Sequence, residues 1–69
     1  MDQQFKTYIE YRHFRHAYDP IILNIVGSDD LVEMWWQSPN RAFDMETPEA
    51  MSWKNWRKVA EYIHEFEVY

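Results

Sequence analysis

Apolar residues recur at three- and four-residue spacing along most of this chain, the period of a helix that buries one face. The cleanest run is Trp53, Trp56, Val59, Ala60, Ile63 and Phe66. It predicts a helix near the carboxyl end with Ser52 as its cap. Leu31, Val32, Trp35 and Trp36 mark a second helical face, flanked by Met34, with Ser28 or Asp29 placed to cap it. From Phe5 to Tyr18 the pattern is less one-sided. Phe5, Tyr8, Ile9 and Arg12 fit a helical stripe, while Thr7 to Phe14 is rich in aromatic and β-branched residues that also suit a strand. Helix is the expectation there.

Glycine and proline fall where these runs break. Asp19-Pro20 reads as an N-cap followed by proline at the first helical position, where its missing N–H costs nothing. A short helix from Pro20 to Val26 then ends at Gly27, the one residue that takes the left-handed conformation freely. Ser38-Pro39-Asn40 stops the next helix, because proline disfavours helical geometry in the residue before it. Thr47-Pro48-Glu49 repeats the cap-and-proline device ahead of Ala50 and Met51. The pattern therefore predicts an all-α fold: a small single-domain bundle of about four short helices over residues 1–69, with residues 1–18 as an amino-terminal helix or arm.

Composition adds one pressure and removes several functions. At 69 residues the chain buries only about 60% of the surface its unfolded form exposes. It has no cysteine, so apolar packing must supply the core. Four Trp, five Tyr and four Phe are too much aromatic area to enclose fully at this size. Some of it must reach the surface, where large rigid side chains suit a protein contact.

Charge is uneven. Residues 19–51 hold a single base, Arg41, against seven acids, Asp19, Asp29, Asp30, Glu33, Asp44, Glu46 and Glu49. Such a surface repels phosphates, which argues against direct nucleic-acid binding. It suits a basic protein partner instead. The amino terminus lacks the regions of a signal peptide, and the longest apolar stretch, Ile21 to Val26, is far too short to span a bilayer. A cytoplasmic location and no membrane contact are expected.

Catalytic and metal chemistry find little material. His13, His16 and Asp19 have the spacing of helix-borne ligands, but no further ligand accompanies them, so no metal is expected. Ser28, Ser38 and Ser52 stand at turns or caps with no histidine nearby, and the single glycine leaves no phosphate-binding loop. Neither an enzyme nor a cofactor is expected.

The segment Trp35-Trp36-Gln37-Ser38-Pro39-Asn40, followed by Arg41-Ala42-Phe43 and Thr47-Pro48-Glu49-Ala50-Met51, resembles the toxin-binding domain of the Xre, MbcA and ParS antitoxins. Val59 and Ile63 fit that family's closing helix, and Glu67-Val68-Tyr69 resembles its tail. The likeness covers roughly residues 19–69. Asp44-Met45 stands where the family has a pair of glycines, so the turn must use another geometry or take positive φ at Met45. The connection from Met51 to Val59 is about two residues shorter than in that family.

The resemblance implies a stand-alone, phage-encoded binding domain without the DNA-binding part. It would neutralise a RES-type NAD-consuming toxin, or mimic its neutraliser, by covering the active site. Trp35, Trp36, Asn40, Arg41, Phe43, Trp53, Trp56, Glu67 and Tyr69 are the candidate contacts. The alternative is an acidic inhibitor of a host nucleic-acid enzyme or defence complex, acting partly as a nucleic-acid mimic. Self-association into a homodimer through the aromatic face is a third arrangement.

Overall fold

The computed structural model describes residues 3–66. Three α-helices, α1 (Tyr8–Val26), α2 (Asp29–Gln37) and α3 (Pro48–Phe66), pack around one core, and a 3-10 turn at Arg41–Phe43 joins α2 to α3. No described residue lies in a strand. The fold class is therefore all-α, with one helix fewer than the sequence pattern predicts.

The missing boundary is at Asp19-Pro20, where α1 runs on without a break. An interior proline costs a helix about 3 kcal/mol through a lost hydrogen bond and a steric clash. Three compensations are visible. Pro20 is exposed, so the carbonyl it leaves without a donor can be hydrated. Continuity keeps Ile22 on the same buried stripe as Tyr11 and Phe14. Asp19, expected as a cap, uses its carboxylate to accept from Trp36 Nε1 at 2.8 Å and Arg15 Nε at 2.9 Å.

The real start of α1 is a capping box at Thr7: its hydroxyl accepts from Glu10 N at 3.2 Å, and the Glu10 carboxylate accepts from Thr7 N at 3.3 Å. That phase buries Tyr11 and Phe14 and leaves Tyr8 and Ile9 exposed. Of the expected stripe of Phe5, Tyr8, Ile9 and Arg12, only Phe5 packs against the core; the other three are exposed. At the other end Gly27, at φ 98°, closes α1, and its N–H donates to the Leu23 carbonyl at 2.8 Å. Of the two candidate caps, Ser28 is the one that caps α2, through Leu31 N at 3.3 Å.

In α3 the cap is displaced. Thr47 caps the opening turn through Ala50 N at 3.0 Å, but the helical path breaks at Asn55, which is extended at φ −161° and ψ 85°. Asn55 then caps the segment that follows, its Oδ1 accepting from Lys58 N at 3.2 Å. Ser52, the expected cap, is buried in the preceding turn, and its hydroxyl donates to the Glu49 carbonyl at 2.7 Å. Both residues are cap-formers, and burial decided between them. The break would strand Trp56 N–H, which instead donates to the Gln3 carbonyl at 3.0 Å. Phe5 follows, packing its ring on Tyr11, Phe14 and Trp53.

Val59, Ala60 and Ile63 bring α3 into the core against Phe14, Ile22, Val32, Trp36, Phe43 and Met51. Beside this core lies a polar network centred on Arg15. Its guanidinium bonds Asp19, Glu33 and the Tyr11 hydroxyl, and lies 4.7 Å from the Trp36 ring centre. The Tyr11 hydroxyl in turn donates to Glu49 at 3.0 Å, and Gln37 donates to the same carboxylate oxygen. All three helices meet in this network, and no described buried polar side-chain atom lacks a partner.

Burial alone would lower the Arg15 pKa, but its bonds to Asp19, Tyr11 and Glu33 reverse that and hold the proton more firmly than usual. Burial also raises the Tyr11 phenol, to about 12; Arg15 opposes the rise and Glu49 adds to it.

Replacing Arg15 by Met keeps much of its apolar bulk but orphans three partners. The expected loss is about 2 kcal/mol of unfolding free energy in a urea titration. A loss below about 0.5 kcal/mol would mean that the network contributes little. Because the folded state holds the Tyr11 proton more tightly than the ordinary value of 10.0, the associated stability is intact below pH 10. It falls by roughly 1.4 kcal/mol per unit as pH rises from there toward 12. Tyr11→Phe should remove that alkaline sensitivity, read as the urea midpoint against pH.

Candidate protein-contact surface

The step of about 100° between neighbouring helical residues divides the tryptophan pair. Trp36 points into the core and is 0% exposed, while Trp35 is half-buried with its ring edge-on to Trp36 at 5.0 Å. Two residues from both Val32 and Trp36, Met34 is carried to the outer side of α2 and is 58% exposed. Leu31, at 42%, stands beside it. These side chains form one wall of an open groove of about 440 Å³, completed by Val26 from the end of α1 and by Ser38, Pro39 and Asn40. It is an apolar recess with a polar rim, the form expected of a protein-contact site.

The turn closing the groove is unusually tied. The Asn40 carbonyl accepts from Phe43 N at 2.9 Å and Met45 N at 3.0 Å, and its own N–H donates to the Glu46 carbonyl at 3.0 Å. Its side-chain oxygen accepts from Ala42 N at 2.9 Å. Phe43 anchors this knot from below, at 1% exposure and edge-on to Tyr62 at 5.2 Å.

The chain then passes through two consecutive left-handed residues, Asp44 at φ 57° and Met45 at φ 70°. Of the two routes open to the turn, positive φ is the one taken, and Asp44 shares it. Each such residue costs roughly 1–2 kcal/mol relative to an unstrained site. Met45 nonetheless presents an apolar side chain at 61% exposure. Lys54, bonded to Glu46 at 2.6 Å, fixes the far side.

The candidate contacts thus fall into separate groups. Trp35 and Asn40 line the groove, and exposed Arg41 follows Asn40 directly. Trp36 and Phe43 are enclosed in the core, so their side chains offer no surface. Trp53 and Trp56 lie elsewhere. Trp53 stacks on Tyr11 at 5.2 Å, and Trp56 tilts against Phe14 at 6.3 Å. Glu67 and Tyr69 lie outside the described residues. Leu31, Met34, Val26 and Pro39 are the groove residues that sequence reasoning passed over. Their signal was the position of Met34, directly opposite the buried stripe of α2.

A second recess, of about 330 Å³, is lined by Tyr8, Tyr11, Arg12, Arg15, His16, Asp19 and Glu33. Its central guanidinium is already committed to Asp19, Glu33 and Tyr11. His13 and His16 share a shallow exposed depression with Ile9 and Arg12. Among the described residues no group of three His, Cys, Asp or Glu is placed to hold a metal, and no helix is long and apolar enough to cross a membrane. No family model, no curated protein and no solved structure matches the chain.

Glycine at the strained corner removes the left-handed penalty, though it frees the unfolded chain somewhat. Met45→Gly should therefore raise stability by about 1 kcal/mol, equivalent to roughly 4–8 °C in Tm for a domain of this size. A lower Tm would show that the Met45 side chain is making a compensating contact.

Proposed function

We propose that the chain is a protein-binding module whose contact surface is the α2 groove together with the Asn40–Glu46 turn. One observation carries the proposal: α2 exposes Leu31, Met34 and part of Trp35 on a single edge, beside a turn held rigid by four hydrogen bonds at Asn40. Rigid apolar surface loses little entropy on binding, which is what makes such side chains effective anchors.

The resemblance to the antitoxin domain sharpens this into a partner. In that reading the module neutralises a RES-type NAD-consuming toxin, or mimics the protein that does, by covering the toxin's active-site entrance. The left-handed backbone at Asp44 and Met45 supports it, since these residues occupy the place of the family's glycine pair and adopt the conformation glycine would permit. Trp35, Asn40 and Arg41 remain contacts in this proposal; Trp36 and Phe43 act beneath the surface, holding it in shape. A second reading rests on Asp29, Asp30 and Asp44, which are exposed and form no ion pair among the described residues. They would let the module face a basic groove on a host nucleic-acid enzyme or defence complex.

The test is affinity capture from host lysate with the tagged chain and with Met34→Asp, followed by mass spectrometry. Capture of a RES-type toxin by the wild type and its loss with Met34→Asp is the expected result. The purified pair should then lose at least about 2 kcal/mol of affinity on Met34→Asp. A nucleic-acid enzyme whose retention falls steeply with salt would favour the acidic reading. A partner retained equally by the variant would remove the groove from the contact.

A further inference from the structure

The break in α3 leaves a donor that its own helix cannot meet. Asn55 is extended, so Trp56 opens a new helical segment, and the first N–H groups of such a segment have no partner inside it. Asn55 Oδ1 takes the N–H of Lys58, and the N–H of Trp56 donates to the Gln3 carbonyl at 3.0 Å. Two residues on, the Phe5 ring fills a slot between α1 and α3. It meets Tyr11 edge-on at 5.7 Å, Phe14 at a tilt at 5.3 Å and Trp53 edge-on at 5.4 Å.

Main-chain bonds and side-chain pockets are the two parts of peptide recognition, and this cleft has both. Its occupant is separable from its walls. Gln3–Phe5 belongs to no helix, and α1 begins after it, at the capping box closed by Thr7 and Glu10. The Glu10 carboxylate also accepts from Lys6 N, so the start of α1 is fixed without help from the segment. The walls are held from elsewhere as well: Phe14 belongs to the core cluster, and the Tyr11 hydroxyl is bonded to Arg15 and Glu49. A short segment outside the helices can open at lower free energy than the core on which it lies.

We infer that this cleft is a binding site for a short peptide of another protein, one with an aromatic side chain two residues after a free main-chain carbonyl, and that Gln3–Phe5 fills it in cis as a self-inhibitor. The Trp56 N–H fixes where the peptide backbone lies, and the slot selects an aromatic ring. A segment tethered this closely acts at an effective concentration on the order of 1 mM, so the site answers only to a ligand that outcompetes it. The cleft shares no residue with the α2 groove. Failure of the inference therefore leaves the function proposed for that groove untouched.

The probe is the acetylated and amidated peptide Gln-Gln-Phe-Lys-Thr, the sequence of residues 3–7, titrated into the full chain with isotope labelling for NMR. Phe5→Ala should empty the slot and keep the helical circular dichroism. The probe should bind Phe5→Ala at least about tenfold more tightly than it binds the wild type, and move the Trp56 amide and Trp53 indole signals toward their wild-type positions. Replacing the probe's Phe by Ala should weaken binding at least about tenfold. In the wild type alone, the Trp56 amide should exchange with solvent at least about tenfold faster than the Ile63 amide, because the segment opens while the core stays closed. An unfolded Phe5→Ala chain would overturn the inference. So would equal affinity for the two chains, a probe indifferent to its own Phe, or Trp56 exchange as slow as that of Ile63.

Discussion

A charged side chain, not an apolar one, ties α1 to α2 and, through Tyr11 and Glu49, reaches α3. Arg15 is 14% exposed, and removing a guanidinium from water is tolerable only when its donors are met and its faces covered. Asp19, Glu33 and the Tyr11 hydroxyl meet the donors, and Trp36 covers a face. Three of these partners are fixed by further bonds: Trp36 to Asp19, and Tyr11 to Glu49. Sliding α2 along α1 would break several of these at once. Apolar contact alone would not impose that penalty, since Ile22, Val32 and Ile63 could repack with a shifted neighbour at modest cost. The network therefore adds specificity to a core whose stability comes mainly from burial.

This arrangement also explains which parts of the fold were legible in the sequence. The helical period along α2 and the second half of α3 comes from residues facing one shared core, so Val32, Trp36, Val59 and Ile63 announce themselves. Gly27 and Ser28 end one helix and start the next by local geometry alone, and they too read correctly. The misread boundaries are places where the assembled fold decides a side chain's role. Asp19 has the chemistry of a cap but is taken by Trp36 and Arg15, two contacts that the local sequence does not display. Ser52 lost its capping role to Asn55 because it is enclosed, and burial is a property of the assembled fold. The site divided in the same way: the Trp35-Trp36 step was readable from helix geometry, whereas Phe43 could have lain on either side of its turn.

The turn from Asn40 to Glu46 shows how a small domain presents a shaped surface without a large scaffold. Two left-handed residues, Asp44 and Met45, are unfavourable alone. They persist because Phe43 is locked beneath them and Asn40 gathers the surrounding backbone bonds. The strain is thus supported by the core, and its effect is to hold Met45 outward in one direction. A more relaxed turn would be cheaper and less defined. On α2 the same economy appears: the helix that donates Trp36 to the core gives its opposite edge to the groove, so nine residues serve both the interior and the exterior.

The bond from Trp56 N–H to the Gln3 carbonyl joins residues at nearly opposite ends of the chain. The entropy lost on closing a loop grows with its length, though slowly. Contacts within the α1–α2 pair close much shorter loops and can form early. The amino-terminal segment, whose Phe5 also packs on Trp53, therefore closes the longer loop, from the start of the described residues to the Asn55 break in α3.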